Sequence, residues 1–247
     1  CDMVRAYLPN VTDEMEERYL GSLLSLSTDN GFSWGEPFKV PVTAPHGPNL
    51  MNDGSLIYAG APYGDHDPNY PIAVYRSENR RDFVKLADIP KCPELDFCGY
   101  AEPHILQLPD EGGKPGRILL HIRIDETGKP YEERIFTVLQ SISDDNGKTW
   151  SVPAKTGAIG APPHLMRHSS GTLICAYGRR TPPYGIQVMF SHDKGDTWEP
   201  DYFIWDGGET ADLGYPCTVE LENGDLFTLY YANTPFKYAG SGATYFG

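Results

Sequence analysis

Cysteine, basic residues and long apolar runs are all scarce in this 247-residue chain. The five cysteines, at positions 1, 92, 98, 175 and 217, are odd in number and scattered. That excludes a disulfide framework and leaves no metal-binding spacing. Cys92 and Cys98 bracket a short loop, where a pairing is one alternative and free, partly buried thiols the other. No run approaches the roughly 18 apolar residues needed to span a bilayer. Lys and Arg total 20 against 34 Asp and Glu, for a net charge of −14, which argues against a nucleic-acid or anionic-membrane partner and makes any local group of arginines informative. An initiating methionine and a signal peptide are missing too, since the sequence opens on Cys1, so the natural N-terminus is expected upstream. A lipid-modified Cys1 is an alternative, against which the repeat described next places Cys1 inside a strand. Helical periodicity is weak, and the charged run Thr12–Arg18 is expected as a solvated loop or single turn.

Repetition, turns and alternation are what the chain does have. The pattern Ser-x-Asp-x-Gly-x-x-Trp occurs at Ser27–Trp34, Ser143–Trp150 and Ser191–Trp198, with a degraded copy at Ser77–Phe83 in which phenylalanine stands for tryptophan. The serines lie 50, 66 and 48 residues apart, a period that suits four short strands and their turns, the size of one propeller blade. Between the boxes, residues 46–61, 101–123, 163–180 and 215–232 each read as an apolar run, a Gly turn and a second apolar run, the signature of a β-hairpin. Each blade is therefore strand A, tight turn, strand B, longer loop, strand C, box turn, strand D. Within a box the Asp accepts backbone N–H bonds, the Gly supplies a positive φ and the Trp covers the blade edge. Its role is structural, and the calcium spacing of an EF-hand is not met. With 22 prolines, 26 glycines and no low-complexity linker, residues 1–247 are expected to form a single domain.

Topology then separates scaffold from site. The A–B and box turns share one face of a propeller, and the B–C and D–A connections share the other. That second face collects Glu102, His104, Pro163, His164 and Tyr215 at A starts. It also collects Arg5, the loop Tyr63–Asp67, Arg123, Arg179, Arg180 and Tyr231 at B ends. Arginines recurring at one blade position in an acidic protein suggest an anion pocket, with a carboxylate ligand as the natural candidate. The alternative is that each arginine caps its own blade. His46, His104, His121 and His164 recur near blade ends and read as packing or sugar-hydrogen-bonding groups rather than metal ligands.

The boxes and their setting resemble the Asp-box, or BNR, repeats of the sialidase superfamily of six-bladed β-propellers, and the resemblance covers essentially the whole chain. It implies an all-β fold with about five blades represented, and hence a fragment lacking an N-terminal blade. It further implies a retaining exo-acting glycoside hydrolase that needs no cofactor and no metal, acts on a glycan or small sugar acid, and is exported. Glu102 and Arg123 match the glutamate opening an A strand and the arginine closing its B strand. Arg179 or Arg180 matches the arginine of the following blade, and Tyr215 the nucleophilic tyrosine, with Pro216 where the family has serine. The first arginine of the family pattern lies in an Arg-Ile-Pro-like stretch absent here and is left unassigned, and Arg5 is counted with the other B-end arginines as substrate-binding. The acid/base aspartate has candidates in Asp65, Asp67 and Asp2, of which Asp65 is preferred. A tyrosine suits a sugar with a carboxylate on its anomeric carbon, because a carboxylate nucleophile would be repelled. The phenol then needs Glu102 as its base. A propeller acting on another, possibly uronic, sugar by hydrolysis or elimination, and a non-catalytic carbohydrate-binding propeller, are the alternatives.

Overall fold

The computed structural model describes residues 10–63, 66–126, 128–130, 133–235 and 242–246. Almost all of its regular structure is β. The exceptions among the described residues include a 3-10 turn, Pro93–Leu95, and a seven-residue helix, α1 (Asp13–Tyr19), where the sequence suggested a loop or single turn. Local chemistry explains the difference. Thr12 caps the helix by accepting the Met15 N–H at 3.2 Å, Asp13, Glu14 and Glu16 lie in the first turn, and Arg18 lies in the last, each favourable to the helix dipole. The helix buries no residue, so the solvated part of the expectation holds.

Five antiparallel sheets follow the expected blade order. The first comprises β1 (Ser22–Leu24) and β2 (Phe38–Val40), joined by the first box. The second begins with a broken A strand, β3 (Val42–Thr43) and β4 (Asn49–Leu50), followed by β5 (Leu56–Pro62), β6 (Ile72–Ser77) and β7 (Val84–Ile89). The third is β8 (Gly99–Gln107), β9 (Ile118–Asp125), β10 (Phe136–Ser143) and β11 (Ala154–Ile159). The fourth is β12 (Pro163–Arg167), β13 (Leu173–Arg179), β14 (Tyr184–Ser191) and β15 (Glu199–Gly208). The fifth is β16 (Leu213–Glu220), β17 (Leu226–Pro235) and β18 (Gly242–Phe246). The chain is thus an all-β propeller array, in which the first box joins the two strands of its sheet and the later boxes join the last two strands of their blades.

Strand composition explains the stacking. Inner strands such as β9 are buried on both faces, whereas β7, β11 and β15 expose Val84, Ile159 and Tyr202 at the rim. The even residues of β9, Ile118, Leu120, Ile122 and Ile124, join Ile57, Ile72 and Val74 of the preceding blade in one apolar layer closed by Trp150. Leu119 on the opposite face joins Leu165, Cys175 and Tyr177 of the following blade in a second layer, closed by Trp198. Strand alternation thus glues a blade to both neighbours. Each of these tryptophans belongs to the box of the later blade, so the box seals an inter-blade seam as well as its own turn. Trp198 makes this explicit, donating its ring N–H to Gln140 Oε1 of the preceding blade at 2.9 Å. The box chemistry is as expected. Ser143 Oγ accepts the Gly147 N–H at 2.9 Å and donates to Asp145 at 2.9 Å, while Asp145 accepts the Thr149 N–H at 2.8 Å. In the degraded copy Asn79 replaces the aspartate and accepts from the N–H groups of Arg81 and Asp82. Cys92 and Cys98 are buried free thiols, so the pairing alternative is not realised.

Candidate active site

The face opposite the boxes is built by a repeated irregularity. In β8 the register jumps from Ala101 opposite Arg123 to His104 opposite His121, placing Glu102 and Pro103 in a bulge. In β16 it jumps from Gly214 opposite Tyr231 to Cys217 opposite Leu229, placing Tyr215 and Pro216 in the same kind of bulge. Both non-glycine residues adopt the left-handed region, with φ of 47° for Glu102 and 49° for Tyr215. The prolines fit here because a bulge does not ask them to donate to the ladder. Left-handed backbone at such residues costs on the order of 1–3 kcal/mol each and concentrates where a side chain must be aimed.

The two bulges aim their side chains at each other. Tyr215 Oη donates to Glu102 Oε1 at 2.5 Å, joining residues 113 positions apart. Arg123 donates from Nη1 to Glu102 Oε2 at 2.7 Å and to Tyr215 Oη at 3.4 Å, and from Nη2 to Asp125 Oδ2 at 2.9 Å. Arg180 is 5% exposed. It lies 5.7 Å over the Tyr215 ring and donates to the carbonyls of Ala161 and Ala211. Phe136 supports both guanidinium groups, at 5.7 Å from Arg123 and 6.0 Å from Arg180. Tyr231, whose ring is 5.9 Å from that of Tyr215, donates to Asp212 at 2.7 Å.

Electrostatics follows from this packing. Burial, then the hydrogen bond to Glu102 and its charge, push the Tyr215 pKa up to about 12, with Arg123 and Arg180 pulling weakly the other way. The resting phenol is therefore neutral. Burial works against the Arg123 charge, but Glu102 beside it and the bonds to Glu102 and Asp125 outweigh that and hold its pKa above the ordinary arginine value.

One layer nearer the box face, three imidazoles occupy successive blades. His104 stacks on His164 at 4.6 Å, and His46 lies 4.6 Å from His104 and 5.5 Å from His164. Leu165 N–H donates to His104 Nδ1 at 2.7 Å. Desolvation lowers His46 and His164 to about 4 and His104 well below its ordinary value. They are neutral packing groups, and among the described residues no cluster has metal-binding geometry.

Of the residues singled out from sequence, the structure thus joins Glu102, Tyr215, Arg123 and Arg180. Arg179 is not part of this group. Consecutive residues at a strand end point to opposite faces, and Arg179 lies 3.8 Å from Asp201 and over the Phe203 ring instead. Arg5, Asp2 and Asp65 lie outside the described residues, and Asp67 caps its own turn by accepting the Asn69 N–H at 2.9 Å. Sequence reasoning missed Asp125, although its place two residues after Arg123 on one strand puts it on the same face. It also missed Asp212, which lies in a connection with no periodic signal.

No protein-family model and no curated protein matches the sequence. Solved structures do match its fold. A protein of unknown function from Dyadobacter fermentans DSM 18053 superposes with a TM-score of 0.73 at 23% identity, over 91% of this chain and 62% of that one. An α-L-arabinanase from Penicillium chrysogenum, complexed with arabinobiose, gives 0.58 at 20% identity, over 81% and 60%. A sialidase from Streptococcus pneumoniae gives 0.56 at 17% identity, over 84% and 32%. The chain therefore spans about three fifths of the first two structures and a third of the last, and the likeness is one of fold.

Proposed function

We propose that this face is the active site of a retaining glycoside hydrolase in which Tyr215 is the nucleophile and Glu102 its base. The 2.5 Å contact between Tyr215 Oη and Glu102 Oε1 carries the reading. A phenol with a pKa near 12 is a poor nucleophile in neutral solution, so it needs a carboxylate already in contact with its proton. As Tyr215 Oη bonds to the anomeric carbon, its proton passes to Glu102 and the bond to the leaving group breaks, the leaving oxygen taking the electron pair. Water then attacks the anomeric carbon from the side the leaving group vacated. The attacking water releases its second proton to solvent, the bond between the anomeric carbon and Tyr215 Oη breaks, the phenolate oxygen takes back the proton held by Glu102, and the sugar leaves with its configuration retained. Arg123 steadies Glu102 and the developing charge on Oη. The proton for a poor leaving group is assigned to the Asp65 loop, and an activated aryl leaving group departs without it. The fold likeness to glycosidases of two specificities is consistent with this chemistry.

Two finer forms follow, and the first is an exo-α-sialidase, the case for which a tyrosine nucleophile is best suited, which would require Arg123 and Arg180 to open toward a substrate carboxylate. A second form, the same displacement on a sugar without that carboxylate, is favoured by the carboxylates already bound to Arg123. Turnover of an aryl α-sialoside and an aryl α-L-arabinofuranoside by the wild-type chain and its Tyr215→Phe variant tests the reading. Wild-type turnover of one glycoside, lost in the variant, supports it; an unchanged rate in a folded Tyr215→Phe protein refutes it.

A further inference from the structure

We infer that Asp125 is a specificity-determining residue that occupies the Arg123 fork in place of a substrate carboxylate, so that the sugar cleaved here is one without a carboxylate on its reacting ring. The inference rests on the glycosidase reading of the same site.

A guanidinium binds a carboxylate by presenting two parallel N–H groups along one edge. On Arg123 no such edge is open. Nη1 is shared between Glu102 and Tyr215, and Nη2 is held by Asp125. The other edge is closed because Nε is shut off from solvent, with no hydrogen-bond partner among the described residues. Asp125 does not sit there loosely. It is largely buried, and its second oxygen lies 3.5 Å from Arg134 Nη1, so two arginines hold it in place. A carboxylate arriving at Arg123 would have to displace one of two anions while lying beside the other. Arg180 offers no substitute fork, since it is almost wholly buried and directs Nε and Nη1 at the carbonyls of Ala161 and Ala211. A neutral sugar meets none of this opposition. It finds Glu102 with an oxygen to accept a proton and Tyr215 already oriented.

The test compares binding of N-acetylneuraminic acid with that of its methyl ester, which removes the charge and adds one methyl group, by calorimetric titration of the wild-type chain and of Asp125→Ala and Asp125→Asn. The expected result is that the wild type binds the ester at least as tightly as the acid. Asp125→Ala should gain about tenfold for the acid, the worth of one charge-assisted pair, and little for the ester. Asp125→Asn, which keeps a hydrogen-bond acceptor for Nη2 and loses the charge, should gain in the same direction and serves if the alanine variant does not fold. A wild type that prefers the acid, variants that lose acid binding, or variants that bind it no better than wild type would overturn the assignment. Turnover separates the two claims. A protein that cleaves neither aryl glycoside yet gains acid binding on losing Asp125 keeps the Asp125 assignment and sinks the displacement chemistry. Preferential cleavage of the sialoside by the wild type does the reverse.

Discussion

Tyr215 keeps its proton in the resting site because burial and Glu102 both disfavour a phenolate there. On the proposed chemistry, reactivity depends on a proton transfer coupled to attack. Tyr215→Phe should lower kcat by at least about a thousandfold, and Glu102→Gln by about a hundred- to ten-thousandfold, the usual range for losing a positioned base. Thermal unfolding should be nearly unmoved in the phenylalanine variant, because the phenol bonds only within the site. Activity assays paired with melting curves check this, and a melting temperature that falls in step with activity would mean the pair serves the fold instead. Arg179 belongs to a different set of contacts, against Asp201 and Phe203. Its replacement by Ala should leave kcat within about threefold, whereas Arg123→Ala, which leaves Glu102 without its cationic partner and Asp125 held by Arg134 alone, should lose both activity and stability.

At the scale of elements, the box turns and the bulges divide the labour between two faces. Ser143 Oγ is the partner of the Gly147 N–H, so Ser143→Ala should cost about 1–3 kcal/mol with kcat unchanged. Gly195 combines a φ of 88° with a space where a Cβ would meet both Leu119 methyl carbons at 2.9 Å. Gly195→Ala should therefore be destabilising by more than about 1 kcal/mol in urea unfolding, again without a direct effect on the chemistry. The boxes and their register were legible in the sequence because Ser, Asp, Gly and Trp each perform a local task at a fixed spacing. The bulges were not. Their cue is the pair Glu102-Pro103 and Tyr215-Pro216, and a proline after the functional residue is ambiguous until strand pairing shows the extra residue. Asp125 shares a strand face with Arg123 by alternation, but alternation alone does not show that the two side chains pair. The short helix Asp13–Tyr19 rests on one cap and a few charges, too little apolar periodicity to register.

For the molecule as a whole, the blades meet at a stack of imidazoles that carries a pH consequence. Within it, His46 and His164 are lowered from 6.5 to about 4 by desolvation and His104 is lowered well below its ordinary value, and His121, buried outside the stack, is likewise lowered to about 4. Between those limits the unfolded chain binds more protons than the folded one. Stability is therefore full above about pH 6.5 and declines as the pH falls toward 4, each histidine contributing up to about 1.4 kcal/mol per pH unit. Urea unfolding at several pH values through that window should show the loss, and a flat profile would place the imidazoles in contact with water. The all-β blade architecture and the face bearing the candidate site follow from period and topology, which the sequence displays directly. The partnership of Glu102 with Tyr215 spans two inter-blade seams, so only the folded chain brings it into view.

The most direct measurement is the mass of the protein trapped in mid-reaction. The chain is mixed with a glycoside of whichever sugar it turns over, carrying fluorine on the ring carbon next to the anomeric carbon and a dinitrophenyl leaving group. If Tyr215 is the nucleophile, intact mass spectrometry shows one added fluoroglycosyl group, and peptide mapping places it on Tyr215. Steady turnover with no adduct, or an adduct on Glu102 or any other residue, would contradict the account.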